Sequence, residues 1–184
     1  MDQGIPVSMH RPHLKDIPQY DLPAGYSFRP YAVGDAGLWV DVQAAANADT
    51  LRVTRDTFQN DFGKDEELLP DRSWFVVDPS GKDVASITAW WRRLPDGREQ
   101  GLIHWVAVLP QCQGKGIGKA MMTRAMGRLA HAYDDVYLNT SSRRAAAIKV
   151  YLDFGFLPDM AKDRAAEGWA DLRSRLKHRL LGNA

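Results

Sequence analysis

A single cysteine, Cys112, is all the thiol in this chain of 184 residues, which excludes an internal disulfide framework and a cysteine-rich zinc site. An excess of one charge sign is missing as well. The 24 Lys and Arg stand against 23 Asp and Glu, a formal net charge of +1, and this balance gives no electrostatic ground for expecting nucleic acid or an anionic membrane as partner. No apolar run approaches the roughly 20 residues that span a bilayer. No secretory leader is legible, because Pro6, His10, Pro12, Asp16 and Pro18 interrupt the N-terminal apolar positions. A cytoplasmic protein without membrane contact is the expectation. What remains is ordinary globular usage, 45% apolar and 26% charged, at a length that suits one domain with a well-buried core.

Residues 1–24 carry four prolines and little periodicity. They read as an extended arm, disordered or lying over the surface of a single domain spanning 25–184. Tyr26 to Arg29 alternates as a first strand. Asp35 can cap a helix on which Leu38, Trp39, Val42 and Ala46 share a face, and a second short helix is expected over Arg55–Phe62. The acidic cluster Asp65, Glu66 and Glu67 reads as a solvated loop, with attraction of a cationic amine as the alternative. Trp74–Val77 and Val84–Trp91 are strand-like runs joined by the turn Pro79-Ser80-Gly81-Lys82, and a second turn at Pro95-Asp96-Gly97 leads into a strand over Leu102–Val108. The three runs make an antiparallel meander.

Downstream, Ile117, Met121, Ala125 and Leu129 form one helical stripe. A short buried strand at Val136–Asn139 follows, then a helix over Arg144–Phe154 ended by Gly155, and a last strand from Phe156. Near the C-terminus Trp169, Leu172, Leu176 and Leu180 fall at helical spacing amid basic residues. The apolar stripe favours docking on the chain's own domain or on a second subunit, so a homodimer is open, over contact with nucleic acid or membrane.

The most specific stretch is Gln113-Gly114-Lys115-Gly116-Ile117-Gly118, set between a strand and a helix. Glycines let the backbone approach an anion closely, and a helix N-terminus adds unpaired N–H donors and the positive end of the dipole. A phosphate-bearing ligand is implied. A nucleoside triphosphate loop fits poorly, because Gln113 stands where its first Gly is needed and Ala120 where a Ser or Thr should follow the Lys. A dinucleotide fingerprint fails because Gly114, Gly116 and Gly118 are spaced by two throughout.

With Val108-Leu109-Pro110 leading into Gln113-x-x-Gly116-x-Gly118, the segment resembles the signature of the GCN5-related N-acetyltransferases. The run Ala147-Ile148-Lys149-Val150-Tyr151-Leu152-Asp153-Phe154-Gly155-Phe156 is similar to that family's second familiar segment. The close resemblance spans roughly Leu102 to Phe156, while the first hundred residues match only in the order of elements. It implies an α/β fold, a mixed, mostly antiparallel twisted sheet flanked by helices. It also implies acetyl-CoA as donor, no metal, no covalent enzyme intermediate, and transfer to an acceptor amine on a small molecule. A catalytically silent CoA-binding regulatory module is the alternative.

The resemblance also implies roles for particular residues. The loop from Gln113, Gly114, Lys115, Gly116, Ile117 and Gly118 to Lys119 would hold the pyrophosphate. Main-chain groups at Val106, Ala107 and Val108, where the family splays two strands apart, would meet the pantetheine arm and the acetyl carbonyl. An ordinary strand with both N–H groups in the ladder is the alternative. Tyr151 aligns with the tyrosine beside the thioester sulfur, and its alternative is a core tyrosine. Many members carry a Glu where Leu102 stands, whereas some amine-acetylating members have a His at the place of His104. His104 is therefore the candidate base, against a hydrogen-bonded core histidine. Strand alternation sets it on the face of Leu102, Val106 and Val108. Arg144 replaces a frequent Asn, so Asn139 or Arg144 would take over the cofactor contact on that side. Trp39, Phe58 and one of Trp90 and Trp91 are candidates for the acceptor wall. Cys112, beside Lys115 and the helix N-terminus, is expected to show modest alkylation blocked by cofactor.

Overall fold

The computed structural model describes residues 4–182. One sheet of seven strands runs through the molecule: β1 (Pro6–Arg11), β2 (Ser27–Pro30), β3 (Ser73–Val77), β4 (Asp83–Arg93), β5 (Glu99–Val108), β6 (Val136–Ser141) and β7 (Leu157–Asp159). Their spatial order is β2-β3-β4-β5-β6-β1-β7. Every neighbouring pair is antiparallel except β5 with β6. The helices are α1 (Ala36–Ala46), α2 (Arg55–Phe62), α3 (Ile117–Leu129), α4 (Ala145–Asp153) and α5 (Ala165–Arg175). None of the described helices is long and apolar enough to cross a membrane. The expected mixed, mostly antiparallel sheet flanked by helices is what the chain forms.

The sheet separates two cores. On one face Met121, Met122, Ala125, Met126 and Leu129 of α3 pack with Ile148 and Leu152 of α4 and Trp169 and Leu172 of α5. On the other, Trp39 and Val42 of α1 and Phe58 and Phe62 of α2 pack with Phe75, Trp90 and Leu102 of the sheet. The α2 bounds agree with the periodicity, and Thr54 caps the helix with a reciprocal capping box to Thr57. Asp35 does occupy the position before α1, but its carboxylate accepts from Arg29 at 2.6 Å and from the Ala32 N–H at 2.9 Å instead of capping the helix.

Two expectations need correction. The fold begins before Tyr26, because Pro6–Arg11 lies inside the sheet, paired with both β6 and β7. Val7 and Met9 are fully buried, and Pro6 and Pro12 bracket the strand instead of breaking it, since an end position needs no ladder donor. Arg11, also buried, donates to the carbonyls of His13, Lys15 and Phe154, which turns the chain out of β1 and over the α3 side. The C-terminal helix ends at Arg175, so Leu176 and Leu180 lie beyond it. Its apolar stripe docks on the chain's own β1, at Gly168, where a Cβ would stand 2.6 Å from Val7 Cγ1.

Candidate active site

The strand before the glycine loop is interrupted. Trp105 takes a left-handed φ of 49°, and the pairing of β4 with β5 shifts register between Ser86↔Ala107 and Thr88↔His104. A residue inserted in this way is a β-bulge, which kinks the strand and resets its alternation. His104 therefore does not share a face with Val106 and Val108, as regular alternation predicts. His104 meets Phe62 edge-to-face at 5.7 Å on the α1/α2 side, whereas Val106 and Val108 pack toward the α3 core.

Beyond the bulge β5 has little to do with β6. Their parallel pairing is confined to Gly101↔Val136 and Leu102↔Tyr137, so the two strands part company from His104 onward. Leu109 N–H bonds to Val84 O at 2.9 Å, and antiparallel alternation then directs the polar groups of Val108 away from β4 and into the gap, which Val106, inside the bulge, also lines. The Val108 carbonyl confirms the direction by accepting from Gln113 Nε2 at 3.1 Å.

The gap opens into a cleft of about 760 Å³. Its lining brings together Val106, Ala107, Val108, Gln113, Gly114, Gly116, Ile117, Gly118, Lys119, Arg144 and Tyr151. Gly114 and Gly116 sit at φ of 76° and 86°, a region L side chains rarely adopt. A Cβ built at either one, or at Gly118, would meet nothing within 4 Å. The loop is thus an open concavity of backbone at the start of α3, a 13-residue helix whose N-terminus no side chain caps. Its first N–H groups are left to solvent or to a ligand. These residues fit the phosphates of a long anionic cofactor.

Three expected residues lie outside that lining. Lys115 Nζ reaches Tyr26 Oη at 3.3 Å, Asn139 accepts from Ser8 Oγ at 2.8 Å across β1, and His104 faces the opposite side of the sheet. Cys112 lines the cleft from beneath, buried in the α3 core. Tyr151 combines burial with access: 7% exposed, it projects from α4 into the same cleft. Burial pushes its pKa up to about 12, with Arg144 opposing, so the phenol stays protonated at neutral pH.

On the far side of the bulge His104 Nε2 lies 3.6 Å from Asp61 Oδ2 of α2, and Trp105 Nε1 donates to the same oxygen. Burial opposes ionisation of Asp61, but the nearby His104 imidazole and the hydrogen bond from Trp105 outweigh it and hold the carboxyl below its ordinary range. Both side chains of the His104–Asp61 pair remain about a third exposed. Asp61 gave no sequence signal, since 43 residues separate it from His104 and only the packing of α2 on the sheet joins them.

The expected acceptor wall is different. Trp39 and Phe58 are fully buried in an edge-to-face cluster with Phe62 and Trp105. Trp90 and Trp91 do not part to opposite faces: their rings stack at 4.3 Å, because Trp91 is paired with Gly101 and meets no side chain there. Glu66 is occupied internally, accepting from Tyr31 Oη at 2.7 Å and from Gly34 N–H at 3.0 Å. It ties a loop and is not available to attract an amine.

A sheet split beside a glycine loop at a helix N-terminus, with a protonated phenol in the gap, is a cleft whose residues suit a phosphate-bearing carrier. The chain belongs to the acetyltransferase (GNAT) family, whose model matches residues 39–156. Among curated proteins it is 28% identical over 144 residues to a mycothiol acetyltransferase of Kineococcus radiotolerans, an alignment covering 78% of this chain and 46% of the relative. The chain spans about half the length of the curated relatives it matches. Among solved structures it is similar to a GCN5-related N-acetyltransferase from Sphaerobacter thermophilus, with a TM-score of 0.66, 20% identity, and coverage of 84% of this chain and 48% of that one. It is also similar to an acetyltransferase from Clostridium acetobutylicum determined with acetyl-CoA, at a TM-score of 0.61, 15% identity, and coverage of 75% and 94%.

Proposed function

We infer that the protein transfers an acetyl group from acetyl-CoA to an amine on a small molecule. One observation carries this: the glycine loop, the parted main chain at Val106 and Val108, and the Tyr151 hydroxyl side chain all line a single cleft. Family membership supports acetyl-CoA as donor, and the curated relatives named for mycothiol support a small-molecule acceptor. Acetyl-CoA, when bound, supplies an activated thioester.

The chain's own residues do the rest. Backbone N–H groups at Gly114, Gly116 and the first turn of α3 receive the phosphates. The Val106 N–H, aimed into the gap, stabilises negative charge on the acyl oxygen, the type of contact that is usually the largest single contribution to such reactions. Tyr151 holds a proton for the departing sulfur. Its pKa lies above that of a thiol, so it stabilises the thiolate chiefly as a hydrogen-bond donor. The amine is assigned to the α1/α2 face of the sheet, where His104 stands across the strand split from the cleft. With Nε2 turned to the ionised Asp61, its Nδ1 is left to take the amine proton, directly or through water.

The test is release of CoA thiol with a panel of small primary amines. His104→Ala is expected to lower turnover about 100-fold while the affinity for acetyl-CoA, measured by calorimetry, stays at the wild-type value. Unchanged turnover in this variant would remove His104 from the chemistry. Equal turnover with thiol acceptors and none with amines would change the acceptor class.

A further inference from the structure

We propose that Gln43 of α1 is a positioning residue that fixes and polarises the Val106 amide, the N–H donor to the acyl oxygen; this rests on the function inferred above. Trp105, a bulky residue, is held at a φ that only glycine visits freely, and such strain persists only where the surroundings over-determine it. Gln43 supplies that determination. It is completely buried, and its Nε2 donates to the Trp105 carbonyl at 2.6 Å and to Ser86 Oγ at 3.0 Å.

The Trp105 carbonyl and the Val106 N–H belong to one peptide unit, which is planar and trans, as are all described peptides. The two groups therefore point in opposite directions. Pinning the oxygen toward Gln43 aims the hydrogen into the cleft, and a hydrogen bond at the oxygen makes the same amide a stronger donor. The orientation of Gln43 is itself set. Asn47 Nδ2 donates to Gln43 Oε1 at 3.2 Å and to the Gln43 carbonyl at 2.7 Å, and Asn47 Oδ1 accepts from Arg144 Nη2 at 2.6 Å. The chain of bonds runs from an arginine lining the cleft to the peptide that faces the acyl oxygen. A glutamine used only for packing would not need every polar atom aimed along one line.

The experiment uses Gln43→Met, which keeps the side-chain length and removes both donors, in the full chain. Two measurements are made: steady-state kinetics, and the backbone amide resonance of Val106 in 15N-labelled protein without ligand, with Val108 as internal reference. The Val106 resonance is expected to move while Val108 stays. Turnover is expected to fall about 10- to 100-fold, part of the 10²- to 10³-fold effect of losing such a donor outright, with KM for acetyl-CoA within about threefold. If Gln43→Met does not fold, Gln43→Glu keeps the volume and is read the same way. An unmoved Val106 resonance overturns the proposal, as does wild-type turnover in a folded variant. So does a loss of turnover that tracks thermal stability with KM rising in step. Should the wild-type chain bind acetyl-CoA and turn over no amine, the inferred function fails, and the Val106 resonance alone decides the role of Gln43.

Discussion

Tyr151→Phe is expected to cost about 100-fold or more in turnover, the usual weight of a positioned proton donor, while leaving the fold and the affinity for acetyl-CoA as they were. The substitution removes one oxygen from a ring whose remaining atoms keep their packing in the α3 core. The effect should fall on turnover with KM little changed, since the phenol meets the sulfur most strongly when charge develops there. The pH dependence follows from burial. With its pKa raised to about 12, Tyr151 keeps its proton throughout the neutral range. A basic limb near the ordinary tyrosine value of about 10 is therefore not expected from this group. Wild-type-like turnover of Tyr151→Phe would return Tyr151 to the role of a core residue.

Gly116→Val is expected to weaken acetyl-CoA binding on the order of 100-fold, equivalent to about 2.7 kcal/mol. Two causes add. A β-branched residue at the φ of 86° found here carries strain of about 1–3 kcal/mol, which the free loop relieves by rearranging and which binding must then restore. Its methyl groups would also project into the open space where Gly116 now leaves room. Gly127→Ala in the middle of α3 is the control. A Cβ there also meets nothing within 4 Å, its φ is not in the left-handed range, and it lies outside the cleft lining; binding should be unchanged. The comparison is made by calorimetric titration of both variants. Equal affinity for wild type and Gly116→Val would place the phosphates elsewhere.

The sequence made the meander, the glycine loop and the bounds of α2 legible because each is encoded locally: turn residues at Gly81 and Gly97, glycines between a strand and a helix, and a short amphipathic run over Arg55–Phe62. It concealed β1, where prolines that end a strand look like prolines that forbid one. The bulge was concealed more thoroughly. A left-handed residue is normally announced by glycine, and here it is a tryptophan held in place by Gln43, 62 residues away in the chain. Alternation counted through that point puts His104 on the wrong face relative to Val106. Asp61 meets His104 and Gln43 meets the Trp105 carbonyl only through helices packed on the sheet, and nothing in their own neighbourhoods distinguishes them from other polar helix residues. The cleft was thus written in local sequence, whereas the surroundings of His104 depend on tertiary placement.

The most direct measurement is a calorimetric titration of the full chain with acetyl-CoA, with ATP and NAD in parallel. The account predicts saturable binding of acetyl-CoA and no saturable heat from the other two. Absence of acetyl-CoA binding, or equal binding of all three ligands, would contradict the claim that the Gly114–Gly118 loop and the gap between β5 and β6 form one site for that cofactor.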